Sequence, residues 1–137
     1  MTRIVAGSAK GRTLAVPKSG TRPTSERVRE ALFSCLDHMN VLDGATVLDL
    51  YAGTGALGLE ALSRGGTHAT LVEKASAAAR VASANVRSTG LPARVVTADA
   101  RTYLSARSGD ALAGDIDLVF IDPPYDIAED DMTTVLS

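Results

Sequence analysis

Cys35 is the only cysteine in the sequence, which excludes an internal disulfide and any cysteine-built metal cluster. It lies among apolar residues at helical spacing, so it is expected to pack as a small buried hydrophobe. No apolar run is long enough to span a bilayer, and the N-terminus, M-T-R-I-V-A-G, lacks the charged-then-apolar layout of a signal peptide. A cytoplasmic protein with no membrane association is therefore expected. The sequence shows no internal repeat and no low-complexity tract, and its 137 residues leave no room for a second domain of full size. What remains is 45% hydrophobic, enough to build one real core.

The net charge of -2 conceals an asymmetry. Residues 1–30 carry seven Lys and Arg against Glu26 and Glu30, a balance of +5, while the rest of the chain carries -7. A basic arm on an acidic body suits an arm that meets a polyanion. The arm opens with R-I-V-A-G, S-A-K-G and R-T-L-A-V-P, two short β-prone runs around a glycine turn, which predict a hairpin. From Thr24 the period changes. Val28, Ala31, Leu32, Cys35, Leu36 and Met39 recur at intervals of three and four, predicting an amphipathic helix that starts at Pro23, Thr24 or Ser25 and keeps Arg27, Arg29 and Glu30 largely off its apolar face. The arm is assigned to residues 1–22 and the main domain to 23–137.

From Ala45 the chain alternates strands and helices. Strands are predicted at 45–51, 68–73, 93–99 and 115–122, and helices at about 56–64, 75–88 and 99–107, with Gly65-Gly66 and Gly90 as stops. Near-continuous apolar strands joined by single helices predict a parallel sheet covered on both faces, the doubly wound α/β class. The alanine-rich run A-S-A-A-A-R-V-A-S-A-N-V is expected to be a closely packed helix.

Directly after the first of these strands comes D-L-Y-A-G-T-G-A-L-G, with Gly53, Gly55 and Gly58 in G-x-G-x-x-G spacing. Nicotinamide enzymes, flavoproteins and methyltransferases share that spacing, because a tight turn and a close ligand both require glycine. Asp49 separates them: a carboxylate beside this loop repels a pyrophosphate but suits a ligand bearing an ammonium, such as the methionine part of S-adenosylmethionine. Glu73 ends the next strand, where an acid accepting ribose hydroxyls is expected. A charge-assisted bond of that kind is worth roughly 1.5 to 3 kcal/mol. Asp99, in T-A-D-A, is placed to meet the adenine amino group. Each of these acids taken alone also fits a helix N-cap, but together they line the carboxyl edge of one sheet.

The fourth strand ends in V-F-I-D-P-P-Y-D. A turn alone accounts for acid and proline there, but the position beside a methyl-donor loop points to chemistry. An exocyclic base amine is a poor nucleophile because its lone pair is delocalised into the ring. Asp122 and the carbonyl of Pro123 are suited to accept its two N–H bonds and favour the pyramidal nitrogen of the transition state. Pro123 and Pro124 stiffen the backbone, and Tyr125 offers a stacking face for an unstacked base. An exposed carboxylate is too weak a base to deprotonate the free amine, so proton loss follows transfer.

D-P-P-Y with D-L-Y-A-G-T-G-A-L-G-L-E-A-L-S-R-G resembles the amino-methyltransferases, a Rossmann-like class of S-adenosylmethionine-dependent enzymes. The arm R-I-V-A-G-S-A-K-G-R-T-L-A-V-P followed by R-P-T-S-E-R-V-R-E-A-L-F resembles the RsmD family. That resemblance implies methylation of guanine N2 in small-subunit (16S) ribosomal RNA with S-adenosylmethionine and no metal. It implies cofactor contacts from Asp49, Tyr51, Gly53, Thr54, Gly55, Gly58, Glu73, Lys74, Asp99 and Ala100, a guanine site at Asp122, Pro123, Pro124 and Tyr125, and RNA phosphate contacts from Arg3, Lys10, Arg12, Arg22 and Arg27. Lys10 stands where the family often has arginine, an exchange that keeps a phosphate contact but not a bidentate one. The implied partner is small-subunit ribosomal RNA or the assembling small subunit, met by a monomer. The family also implies further strands after D-P-P-Y, whereas this chain ends at Ser137, so the sheet is expected to be truncated after its fourth strand. Two rivals share parts of the pattern: an adenine-N6 DNA methyltransferase, which D-P-P-Y also serves, and an RNA-binding module of methyltransferase fold without catalysis.

Overall fold

The computed structural model describes residues 2–16, 26–106 and 116–123. Among them the order is β1 (Thr2–Arg3), β2 (Thr13–Leu14), α1 (Glu26–His38), β3 (Thr46–Asp49), α2 (Ala56–Ser63), β4 (His68–Glu73), α3 (Ser76–Thr89), β5 (Ala93–Thr97), α4 (Ala100–Ala106) and β6 (Leu118–Phe120). β1 and β2 form an antiparallel hairpin, Thr2 opposite Leu14 and Arg3 opposite Thr13. The other four strands make one parallel sheet in the order β5-β4-β3-β6. Register is fixed by pairs such as Asp49 with Leu71, Asp49 with Phe120 and Glu73 with Thr97.

Alternation along the strands sorts side chains between two cores. Val47, Ala69, Leu71 and Phe120 join the cluster that contains Phe33 of α1 and Leu57, Leu59, Ala61 and Leu62 of α2. Leu48, Leu50 and Val72 face Ala100 and Tyr103 of α4 instead. Both sheet faces are thus covered, as the apolar strand runs require. In α3, Ala78, Ala79 and Ala82 are the buried residues beside Asn85, and Gly90 caps the helix in the left-handed conformation at φ 69°. The alanine run is a close-packing helix and Gly90 is its stop.

Helix α1 departs from its predicted orientation. Val28, Leu32 and Met39 are 58%, 37% and 65% exposed, and Cys35 is exposed as well. The buried side of α1 consists of Arg29 and Phe33, with Leu36, the member of the predicted face that is not exposed, partly covered against the core. Arg29 forms an ion pair with Glu60 at 3.3 Å, both side chains fully buried. Each of the two faces carries a 3.6-residue period. The one holding a buried counter-ion and an aromatic ring packs inward: Phe33 lies on Phe120 with ring centroids 5.6 Å apart, and the Arg64 guanidinium sits 5.2 Å from the centroid of the Phe33 ring. The predicted start of α1 at residues 23–25 lies outside the described residues.

The hairpin is seated on α2. Ile4, Ala9 and Leu14 belong to the main core. Glu60 accepts the backbone N–H of Val5 on Oε1 at 2.9 Å and that of Ala6 on Oε2 at 3.1 Å, and Arg64 Nε donates to Oε2 at 2.9 Å. Ser63 Oγ donates to the Ala6 carbonyl at 2.6 Å and accepts the Ala9 amide at 2.9 Å. The approach is so close that a Cβ on Gly7, which has φ +89°, would lie 1.8 Å from the Ser63 carbonyl oxygen. Only glycine fits there.

Candidate active site

The strand order places a topological switch point between β3 and β6. The chain leaves β3 toward β4 and β5 on one side, then returns to pair β6 on the other. In open parallel sheets the crevice at such a point, beyond the carboxyl ends, is where ligands bind. Asp49 ends β3 at the crevice, and Asp122 lies two residues past β6. Glu73 ends β4, and Asp99 follows β5 immediately before α4. The four acids are thus all at the carboxyl ends of neighbouring strands. Lys74 and Ala100 follow Glu73 and Asp99; Lys74 is exposed and Ala100 is buried in the second core.

The glycine loop folds over this edge. Gly53 and Gly55 both have positive φ, 55° and 87°, and Gly55 is the N-cap of α2. Glu73 holds the loop: its Oε1 accepts the Gly53 amide and its Oε2 accepts the Ala75 amide, both at 2.8 Å. Thr54 is buried, and Tyr51 is half-buried. Gly58 serves packing rather than the turn, since a Cβ there would meet the Leu71 side chain at 2.4 Å. With hydrogen in that place, the first turn of α2 settles onto β3 and β4, and the Gly58 amide donates to Asp49 Oδ2 at 3.3 Å.

Asp49 is 1% exposed, and its Oδ1 has no hydrogen-bond partner among the described residues. Burial pushes the carboxyl up to about 7; the charges of Asp122 and Glu73 add to the rise, while the Gly58 and Tyr51 amides oppose it. A buried, orphaned carboxylate oxygen beside a ligand crevice asks for a donor or a cation. Asp122 is exposed and Pro123 half-buried, whereas Pro124 and Tyr125 lie outside the described residues. Among the described residues no group of three or more His, Cys, Asp or Glu could hold a metal ion, and no helix is long and apolar enough to cross a membrane.

The cationic residues of the arm, with Arg27 of α1, form a second locus. Arg3, Lys10, Arg12 and Arg27 are exposed, while Arg22 lies outside the described residues. Arg3 and Lys10 line a cavity of about 250 Å³ with Ile4, Val5, Gly11 and Glu30. Arg12 reaches α3, where its Nη1 donates to the Ser88 carbonyl at 3.4 Å. A larger cavity of about 390 Å³ opens beside Ala45 and Asp117, at the amino end of β3. It lies at the opposite end from the acids and has no part in the site.

Residues 2–137 match the family model described as conserved hypothetical protein 95. Over 125 residues the chain is 42% identical to ribosomal RNA small subunit methyltransferase D of Escherichia coli K12, covering 90% of this chain and 60% of that protein. The enzyme of the same name from Haemophilus influenzae is 35% identical over 127 residues, 90% of this chain and 63% of its own. A solved structure, a hypothetical protein of Thermus thermophilus, superposes with a TM-score of 0.85 at 38% identity, covering 99% of this chain and 77% of that one. The chain belongs to the RsmD family.

Its sheet is accordingly the Rossmann-like sheet of methyltransferases, and this RsmD-family chain spans about 60% of the length of the curated relatives it matches. Three residues near the site escape a reading by motif: Glu60, Arg29 and Asn85. A signal for each exists in the sequence. Glu60 is the one acid in an otherwise largely apolar helix, and a helix buried all round must pair its charge. Arg29 falls in register with Phe33 and Leu36. Asn85 is a lone amide in an alanine face.

Proposed function

We propose that this chain carries the cofactor site and the amine-binding strand end of a methyltransferase that moves a methyl group from S-adenosylmethionine to guanine N2 in small-subunit ribosomal RNA. The observation that carries the reading is the orphaned Oδ1 of Asp49 at the switch-point crevice, which an ammonium group would satisfy. Support for the ribosomal substrate comes from the names of the relatives and from the exposed cations of the arm.

When bound, S-adenosylmethionine supplies an electrophilic methyl on a sulfonium. Asp49 holds the amino-acid end of the cofactor, Glu73 accepts ribose hydroxyls with the lone pairs left after the Gly53 and Ala75 amides, and Asp99 meets the adenine amine. Tyr51 and Thr54 of the glycine loop, Lys74 after Glu73 and buried Ala100 after Asp99 adjoin these contacts in sequence. Asp122 and the Pro123 carbonyl accept the two N–H groups of the guanine amine, which turns its lone pair toward the methyl group. The stiff backbone at Pro123 and Pro124 keeps that carbonyl aimed, and Tyr125 stacks on the base. As the amine nitrogen bonds the methyl carbon, the carbon–sulfur bond would break and the sulfonium leave as a neutral thioether; the nitrogen then loses one proton to solvent. Arg3, Lys10, Arg12, Arg22 and Arg27 hold phosphates, so binding weakens as salt rises.

Incubation with methyl-labelled S-adenosylmethionine and either unmethylated small ribosomal subunits or unmethylated DNA, followed by nucleoside identification, tests the reading. N2-methylguanosine from the subunits is expected. Label appearing only as N6-methyladenine in DNA would assign the D-P-P-Y platform to the rival base.

A further inference from the structure

Asn85 joins the arm to the glycine loop. It is 2% exposed, on the face of α3 that packs inward. Its Oδ1 accepts the Ala15 amide at 2.8 Å, and its Nδ2 donates both to the Ala15 carbonyl at 3.1 Å and to the Thr54 carbonyl at 2.9 Å. Ala15 is the residue directly after β2, and Thr54 stands between Gly53 and Gly55. One side chain therefore grips both backbone groups of an arm residue and, with the remaining hydrogen of the same amide, the cofactor loop. Three of its four hydrogen-bonding positions are used for this link.

The two ends of the hairpin are held by different elements. Glu60 and Ser63 anchor its first turn to α2, at Val5, Ala6 and Ala9, whereas Asn85 takes hold at its exit. The Thr54 carbonyl belongs to the loop whose neighbouring Gly53 amide is held by Glu73. A ligand that orders the loop restrains the Thr54 carbonyl. A buried bidentate amide thus stands between the Thr54 carbonyl and Ala15, two hydrogen bonds apart.

We propose that Asn85 is a positioning residue that couples the cofactor site to the RNA-facing arm, so that cofactor binding stiffens the arm and RNA binding at the arm tightens the cofactor. The reciprocity is thermodynamic: if one ligand favours the linked state, so does the other, by the same factor. The inference rests on the methyltransferase reading of the glycine loop, but its test needs no RNA.

The measurement is hydrogen exchange of the Ala15 amide, read by NMR with and without saturating S-adenosylhomocysteine, with binding followed separately by calorimetry. The expected result is about a tenfold slowing of Ala15 exchange on binding in the native sequence. In Asn85→Ala and Asn85→Ser the ligand still binds but the slowing disappears, while amides of β4 and β5 keep their protection. Asn85→Ser keeps a small polar group, buries no charge and is too short to span Ala15 and Thr54, so it carries the test if Asn85→Ala does not fold. Binding with no change at Ala15, or equal slowing in the variants, overturns the coupling and leaves the methyltransferase reading intact. Absence of binding to the native sequence overturns that reading and the coupling with it.

Discussion

At the scale of single residues, Asp49 is where stability and function oppose each other. In the unfolded chain its carboxyl titrates near 3.8, and in the folded protein near 7. The folded state therefore holds the proton more tightly between these values, and stability falls as pH rises from about 4 to about 7. Above 7 the penalty is fully present. Asn at this position removes the charge while keeping the shape, so Asp49→Asn should stabilise the chain by about 1–4 kcal/mol at pH 8, the scale of holding a buried carboxylate ionised at that pH. Thermal melts of both proteins at pH 5 and pH 8 check this, with the gap already present at pH 5 and wider at pH 8. Cofactor affinity should move the other way: in the native sequence it rises as pH passes upward through about 7, and in Asp49→Asn it is weaker and flat. A gain in stability with loss of affinity is the pattern of a site residue held at the expense of the fold.

At the scale of elements, helix α1 shows why hydrophobic periodicity alone is an incomplete guide. Two stripes of α1 share the helical period. Val28, Leu32 and Cys35, continued by Met39 just past the helix, make the more apolar one, and Arg29 and Phe33 the buried one, joined by Leu36 from the predicted face. The choice is decided by partners distant in sequence, Glu60 on α2 and Phe120 on β6, which no local window contains. Phe33→Ala is expected to cost about 3–5 kcal/mol, while Leu32→Ala stays within about 0.5 kcal/mol. Urea unfolding of the two variants distinguishes the faces directly. The hairpin is more legible. Its two runs and glycine turn are local and make the hairpin legible, while the short ladder, Thr2 with Leu14 and Arg3 with Thr13, is narrower than the runs and is not fixed by them. Its docking is not legible, because it depends on Glu60, Ser63 and Asn85 meeting backbone groups more than fifty residues away. The exposed cations of that hairpin carry their own prediction. Arg12→Ala should weaken RNA binding and lower the slope of log affinity against log salt by about 1. Cofactor affinity measured without RNA should stay the same.

At the scale of the whole molecule, alternation of strands and helices is enough to foresee a parallel doubly wound sheet, since apolar strands covered on both faces have few other arrangements. The strand order β5-β4-β3-β6 adds what alternation does not contain: β3 lies inside the sheet and β6 pairs with its far side. That arrangement brings Asp49 and Asp122 to one crevice, close enough for the charge of Asp122 to count in the titration of Asp49. The acids at the strand ends are visible as residues, and the glycine loop as a spacing. The burial of Asp49 is not, because it results from α2 settling on β3 and β4 through Gly58.

In the proposed mechanism the strand ends at this crevice divide the work, with β3 and β4 holding the donor and the end of β6 activating an exocyclic amine. Asp122→Ala tests it most directly, through cofactor affinity and single-turnover methyl transfer to unmethylated small subunits measured on the same preparation. Cofactor affinity is expected to stay within about threefold of the native value and the transfer rate to fall by about 10²- to 10³-fold, the usual effect of removing one preorganised transition-state contact. A variant that transfers methyl groups at the native rate would contradict it.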